Sequence, residues 1–220
     1  MNRSLNRIKQ AGRILSYKPG FPDESIRVAP LGAPDTYHLS AAEGWLGLEN
    51  WREAAADLEK IRPGMREHPN VLEVRCQVAV LAQNWAEALP ICQKMTLQTP
   101  GRSFGWLYLS YVLNEMDRTN EAYDTLFYVL YRFPRDSVMR YCMACLACKL
   151  GLLAEASAWL RRAFELGDAH ALMSAALTDP DLKPMWAGMG LAGKDNARVE
   201  CQATQSASHT PGLGSAKNGG

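Results

Sequence analysis

The sequence predicts an all-α fold of stacked helix pairs, and three observations carry the prediction. Alanine and leucine make up about a quarter of the 220 residues, while isoleucine and valine together are scarce, which favours helices and leaves little material for a buried sheet. The dipeptide Glu-Ala recurs at 53–54, 87–88, 121–122 and 155–156, a constant step of 34 residues. A fixed period of that length marks an array in which each unit is one supersecondary motif. Around each copy the apolar residues fall at i, i+3 and i+4, the spacing of an amphipathic helix. The prediction is an α-solenoid of four helix-turn-helix repeats with a C-terminal capping helix, one domain in all.

Residues 1–34 precede the array. The first 22 carry Arg3, Arg7, Lys9, Arg13 and Lys18 with no acid, so this arm is +5 and the remainder is −4. Leu5, Ile8 and Leu15 fall on one face of a short helix with arginines opposite, a pattern able to touch an anionic surface. Gly12, Pro19 and Gly20 interrupt that face, and the arm reads as a solvated extension. An Arg-rich, acid-poor start is also what an organelle transit peptide carries. No apolar run of signal-peptide or membrane-spanning length follows it, so the expected location is cytoplasmic.

The array is expected over 35–168, as units of about 35–68, 69–102, 103–136 and 137–168. Trp51 matches Trp85, Pro100 matches Pro134, and Leu58, Cys92, Leu126 and Leu160 share one position. In the first unit Pro63 and Gly64 break the second helix early, and its closing proline is Pro69 rather than a residue at 66. The third unit reads as helices over Phe104–Glu115 and Thr119–Tyr131, joined by an Asp117-Arg118 turn. Pro134 stops the second of these, and Asp136 or Ser137 can cap the next. The fourth unit ends at Gly167, a helix stop. The alanines at 54, 88, 122 and 156 let paired helices approach closely, and a larger residue there would overfill the contact. Over 169–187 a short helix, Ala169 to Leu177, leads to Leu182 and Trp186, which should cover the apolar edge of the last unit. Residues 188–220 have no periodicity and are expected to be disordered.

Trp106 and Leu109 precede Ala122 by the offsets of the tetratricopeptide consensus, Trp-x2-Leu-Gly-x2-Tyr then Ala-x3-Phe then Pro, with Ser110 and Leu113 replacing its Gly and Tyr. The array resembles the tetratricopeptide repeat family over roughly 60% of the chain. The resemblance implies that first helices line a concave face and that the second, fifth, ninth and twelfth positions of each unit point into it. Those positions hold Thr36, Leu39, Glu43 and Leu46 in the first unit and Asn70, Glu73, Gln77 and Val80 in the second. In the third they hold Phe104, Leu107, Tyr111 and Asn114, and in the fourth Val138, Tyr141, Cys145 and Cys148. The set becomes more aromatic and apolar towards the fourth unit, which suits a hydrophobic peptide or amphipathic helix. Family members that grip acidic chaperone tails use lysine, arginine and asparagine. Here the corresponding residues are Leu39, Glu43, Val74, Phe104 and Tyr108, so no carboxylate clamp is present.

Other chemistry is weakly indicated. Cys142-x2-Cys145-x2-Cys148 resembles the start of an iron–sulfur ligand run. It lies in a helix, however, where steps of three residues spread the sulfurs around the axis, and no fourth cysteine follows at a fitting distance. Small apolar packing is the simpler reading. Gly188-Met189-Gly190-Leu191-Ala192-Gly193-Lys194 matches Gly-x-Gly-x-x-Gly but lacks the flanking strand and helix that aim a phosphate cradle. The histidines at 38, 68, 170 and 209 form no set. No catalytic motif, cofactor or metal site is called for, and the near-neutral body excludes wrapping of nucleic acid. The sequence predicts a non-catalytic adaptor or scaffold for a protein or peptide of unknown identity. Alternatives are a secretion-type chaperone with an apolar groove, or a redox or metal-binding protein using the cysteine row.

Overall fold

A computed structural model of the chain describes residues 30–186. The arm before residue 30, the glycine-rich stretch at 188–194, Cys201, His209 and the rest of the tail lie outside the described residues. Eight helices follow as four antiparallel pairs: α1 (Asp35–Gly47) with α2 (Trp51–Glu59), α3 (Pro69–Leu81) with α4 (Trp85–Gln98), α5 (Ser103–Glu115) with α6 (Thr119–Val129), and α7 (Ser137–Lys149) with α8 (Leu153–Leu166). A ninth helix, α9 (Ala169–Thr178), and a 3-10 segment, Pro180–Met185, close the C-terminal end. Each second helix packs on the first helix of the next pair, and successive first helices touch one another. The architecture is an all-α solenoid.

The 34-residue step is visible in the backbone. Glu49, Gln83, Asp117 and Gly151 all have positive φ, between 56° and 77°. In each case the following amide donates to a carbonyl five residues back: Asn50 to Trp45, Asn84 to Ala79, Arg118 to Leu113 and Leu152 to Ala147. The left-handed residue also donates to the carbonyl three residues before it. The two bonds together form a Schellman motif, which satisfies the last carbonyls of each first helix. Only the fourth turn uses glycine, the residue without a steric penalty there.

The glutamate of each Glu-Ala pair sits at the start of a second helix, and its work varies. Asn50 and Asn84 cap their helices by accepting from the amides of Glu53 and Glu87, and the Asn84 amide group donates back to Glu87. This is a reciprocal capping arrangement. In the third unit Arg118 and Glu121 make a two-pronged ion pair at 2.7 and 2.6 Å. In the fourth, Glu155 accepts from the Tyr123 hydroxyl at 2.7 Å.

The alanines of the Glu-Ala pairs are all fully buried where the paired helices cross. A second small-residue position faces them: Ala42, Cys76, Ser110 and Ala144 are again 34 apart and buried. Ser110 tolerates burial because its hydroxyl donates to the Ala122 carbonyl, as a buried polar group requires. Leu58, Cys92, Leu126 and Leu160 are buried at the next turn of the second helices.

Irregularities fall where prolines and glycines interrupt the pattern. α2 ends at Glu59, and Pro63–Met65 forms a 3-10 turn before Pro69 opens α3. Asp35, fully buried, anchors this linker by accepting from the Arg62 amide and Nε at 3.0 and 2.7 Å. α6 stops at Val129 and Leu130–Arg132 tightens to 3-10 geometry, earlier than the helix predicted through Tyr131. Asp136, not Ser137, caps α7 by accepting from the Met139 amide. Gly167 ends α8 for a different reason from the one predicted. Its φ of −119° is open to any residue, but a Cβ there would meet Ser137 Cβ at 2.8 Å, so close approach excludes a side chain.

Candidate partner-binding face

The first helices α1, α3, α5 and α7 stand side by side and display the residues the sequence singled out. Glu43 on α1 is exposed, and Glu73, Gln77, Phe104 and Tyr111 are half-buried. Leu39, Leu107, Asn114, Val138, Tyr141 and Cys145 are buried. The row is therefore open on α1, α3 and α5 and closed on α7.

On the open part, Arg102 at the entry to α5 reaches across to α3. One of its terminal nitrogens donates to Asn70 Oδ1 and Glu73 Oε1, each at 3.2 Å. Burial pushes the Glu73 carboxyl up. Arg102 opposes that shift, and the charge of Glu43 adds to it. Partial desolvation by the neighbouring helices likewise raises the Glu43 carboxyl, although the side chain stays open to solvent. Two carboxylates from neighbouring helices thus share one face, with the Arg102 guanidinium bonded to Glu73. Next to them Phe104 stacks on Tyr108 with ring centroids 4.3 Å apart, and Tyr111 meets the edge of Trp85 at 6.1 Å. These aromatic rings are supported from below, a requirement for an anchor that must not reorganise on binding.

On the closed part, the Pro180–Met185 segment lies against α7, α8 and α9. Leu182 is fully buried among Tyr141, Cys145, Cys148 and Leu172. Asp179, itself buried, accepts from the Tyr141 hydroxyl at 3.1 Å and the Cys145 thiol at 3.5 Å with one oxygen. Its other oxygen accepts from the Asp181 amide and caps the segment. Trp186 donates its indole N–H to the Ala176 carbonyl. Tyr141 and Cys145 are therefore spent on the molecule's own C-terminal segment, although the sequence predicted them as open groove residues.

The cysteines behave as packing groups. Cys142 is half-buried, Cys145 and Cys148 are buried, and burial, then Asp181 and Asp179, raise the Cys148 thiol. Carboxylates beside a thiol oppose formation of the reactive thiolate. Among the described residues no group of three or more His, Cys, Asp or Glu is placed to hold a metal ion. Unit two holds a thiol contact the sequence did not suggest, Cys76 Sγ to Cys92 Sγ at 3.2 Å. Burial, then the hydrogen bond with Cys92, pushes the Cys76 thiol well up. Sequence reasoning also missed Arg102, whose reach across the row depends on the neighbouring unit. It missed a band on the second-helix side as well, where Tyr123 stacks on Phe127 and Phe127 meets Trp159 edge-on.

The described residues superpose on solved helical-repeat structures. A thermophilic tetratricopeptide protein of Thermus thermophilus, TTC0263, matches with a TM-score of 0.57 at 17% identity, over 71% of this chain and 84% of that one. The chain has a tetratricopeptide-like repeat fold. MamA from strain MSR-1 matches with a TM-score of 0.51 at 18% identity, over 74% of this chain and 92% of that one. At such identities the likeness of this tetratricopeptide-like chain to both proteins is one of fold. No family profile and no curated protein matches the sequence. Among the described residues no helix is long and apolar enough to cross a membrane.

Proposed function

We propose that this protein is a non-catalytic adaptor or scaffold that holds a peptide or helix of a partner protein across the first helices of its first three units. The observation that supports this is the division of one row of residues. Glu43, Glu73, Gln77, Phe104 and Tyr111 remain accessible on neighbouring helices, while the equivalent residues on α7 are already covered by the chain itself. Two supported aromatic rings supply anchors of the kind that dominate peptide recognition. The neighbouring carboxylates favour a segment with an apolar anchor close to a lysine or arginine, whose charge complements theirs.

A photo-reactive benzoylphenylalanine placed at Phe104, and in a second protein at Phe127 on the opposite helices, tests the assignment in native lysate. A discrete crosslinked partner is expected from position 104, lost when Tyr111→Ala is added and helical circular dichroism is retained. Crosslinking from position 127 alone would move the binding face to the second helices and end this reading.

A further inference from the structure

Three aromatic side chains meet between α6 and α8 at positions the array fills differently elsewhere. Tyr123 and Phe127 lie nearly parallel, at 11° with centroids 6.1 Å apart, and Trp159 stands across Phe127 at 76° and 6.5 Å. The same three positions hold Ala55, Glu59 and Ile91 between α2 and α4, and Leu89, Gln93 and Thr125 between α4 and α6. Packing does not call for the ring of Phe127, which is 57% exposed. Gln93 and Arg161, its counterparts one unit back and one unit on, are exposed as well. Tyr123 and Trp159 are half-buried and rest on the core. The Trp159 indole N–H donates to the Tyr123 hydroxyl at 3.3 Å, and that hydroxyl donates to Glu155 at 2.7 Å. Two rings and a carboxylate are thereby fixed relative to one another before anything binds, which lowers the cost of binding.

Glu155 also differs from two of its counterparts. Glu87 lies 3.8 Å from Arg75, and Glu121 holds Arg118 in a two-pronged pair. In the fourth unit Leu152 stands where Arg118 stands one unit earlier, and Glu155 is exposed beside the rings. Asp124 adds a second exposed carboxylate, and α6 itself carries no lysine or arginine. Arg161 and Arg162 follow Trp159 on α8, and Arg162 is engaged with Glu165 at 2.7 Å.

We propose that this corner binds an arginine side chain of a partner protein, its guanidinium stacked on the Tyr123 and Phe127 rings and paired with Glu155. The incoming arginine makes the ion pair that Arg118 makes within the chain one unit earlier. Three features of the site select it. Exposed carboxylates call for a cation. Flat rings favour the planar, weakly hydrated guanidinium over the compact, strongly hydrated ammonium of lysine. A carboxylate at the rim favours a cation with N–H donors, which a quaternary ammonium lacks. The site lies on the second helices and is independent of the first-helix row, so either assignment can fail alone.

The test is a titration of the full chain with the blocked tripeptide acetyl-Gly-Arg-Gly-amide at constant ionic strength. It is followed on the indole N–H resonance of Trp159, assigned by its loss in Trp159→Phe. A saturable shift is expected, with the corresponding lysine and trimethyl-lysine tripeptides weaker by about threefold or more. Phe127→Ala and Glu155→Gln should each weaken the arginine tripeptide by about threefold or more. Helical circular dichroism should be unchanged in both, since each residue is exposed. Equal midpoints for the arginine and lysine tripeptides would reduce the effect to unspecific charge attraction and overturn the proposal. A trimethyl-lysine tripeptide that bound as tightly or more tightly would assign the corner to a quaternary ammonium and overturn it too. So would the absence of a saturable shift, or a midpoint unmoved by Phe127→Ala.

Discussion

Replacing Leu182 by alanine should open the far end of the first-helix row without unfolding the array. Leu182 is fully buried in the cluster that holds Tyr141, Cys145, Cys148 and Leu172, and truncating a leucine in such a site costs about 3 kcal/mol, within a range of roughly 2–5. Each element of a solenoid answers only to its neighbours, so the loss falls on attachment of Pro180–Met185 and not on the first three units. A loss of about 3 kcal/mol raises the detached population roughly 100-fold. Cys145 and Cys148 lie under the segment, and their alkylation rates, followed by mass spectrometry, report that population when reclosing outpaces labelling. The chemistry works in the same direction, because burial and the two aspartates hold the Cys148 thiol up and detachment removes all three influences. Expected is a rise of about two orders of magnitude at Cys145 and Cys148, with no change at Cys76 and Cys92 in unit two. Wild-type rates at Cys145 and Cys148, or an equal acceleration at all four thiols, would show that Leu182 is not a local clasp. A general acceleration would further mean that the array melts as one body.

Two further perturbations address the ladder itself. Gly151→Ala should destabilise by about 1 kcal/mol and lower the melting temperature by roughly 2–4 °C, because the residue sits at φ +77°; Gln83→Gly, at φ 56°, should shift it the other way. Asp35 is held below the ordinary carboxylate range by hydrogen bonds from Arg62, so its folded value lies under its unfolded one. Its contribution is then fully present above about pH 4 and lost as pH falls through the depressed value. The melting-temperature gap between wild type and Asp35→Asn should accordingly be widest near neutrality and narrow in acid, and a gap that widened in acid would contradict the Asp35–Arg62 assignment.

Much of the fold was legible because a solenoid repeats its contacts. The buried alanine of each unit meets the same environment as the alanine 34 residues away, so the chemistry of one packing site is written four times. Glu53 and Glu87 were visible for the same reason, as copies of the repeated Glu-Ala pair, whereas the asparagines that cap with them were not singled out. The small residues that face those alanines were harder to see, since Ala42, Cys76, Ser110 and Ala144 share size and not chemistry. The Asp117-Arg118 turn was predicted as a turn, but the left-handed geometry shared by all four turns was not. Glu49, Gln83 and Asp117 carry no glycine to mark them, and the Schellman bonds that hold them are made by backbone groups every residue possesses. The candidate site was half legible. Glu43, Glu73, Phe104 and Tyr111 occupy the open row that the repeat register places them in, but Arg102 acts across units from a position the register does not single out.

The covered end of the row has a cause that lies outside the repeat and yet keeps its count. Asp179 stands 34 residues after Cys145, the place a fifth first helix would fill had α9 continued. It does not continue. Thr178 ends the helix and Asp179 turns outward to cap the 3-10 segment, with Pro180 at its first position, where the absence of an N–H is harmless and the preceding residue is steered out of helical geometry. The chain is deflected at that point onto α7, and Leu182 lands on the tyrosine and cysteines that a longer array would have left facing the groove. A two-residue interruption thus ends the helix ladder of the described residues and covers the fourth unit's share of the first-helix row in one step. Residues such as Tyr141 cannot be sorted into core or groove from their own register position, because the deciding contact comes from 38 residues away.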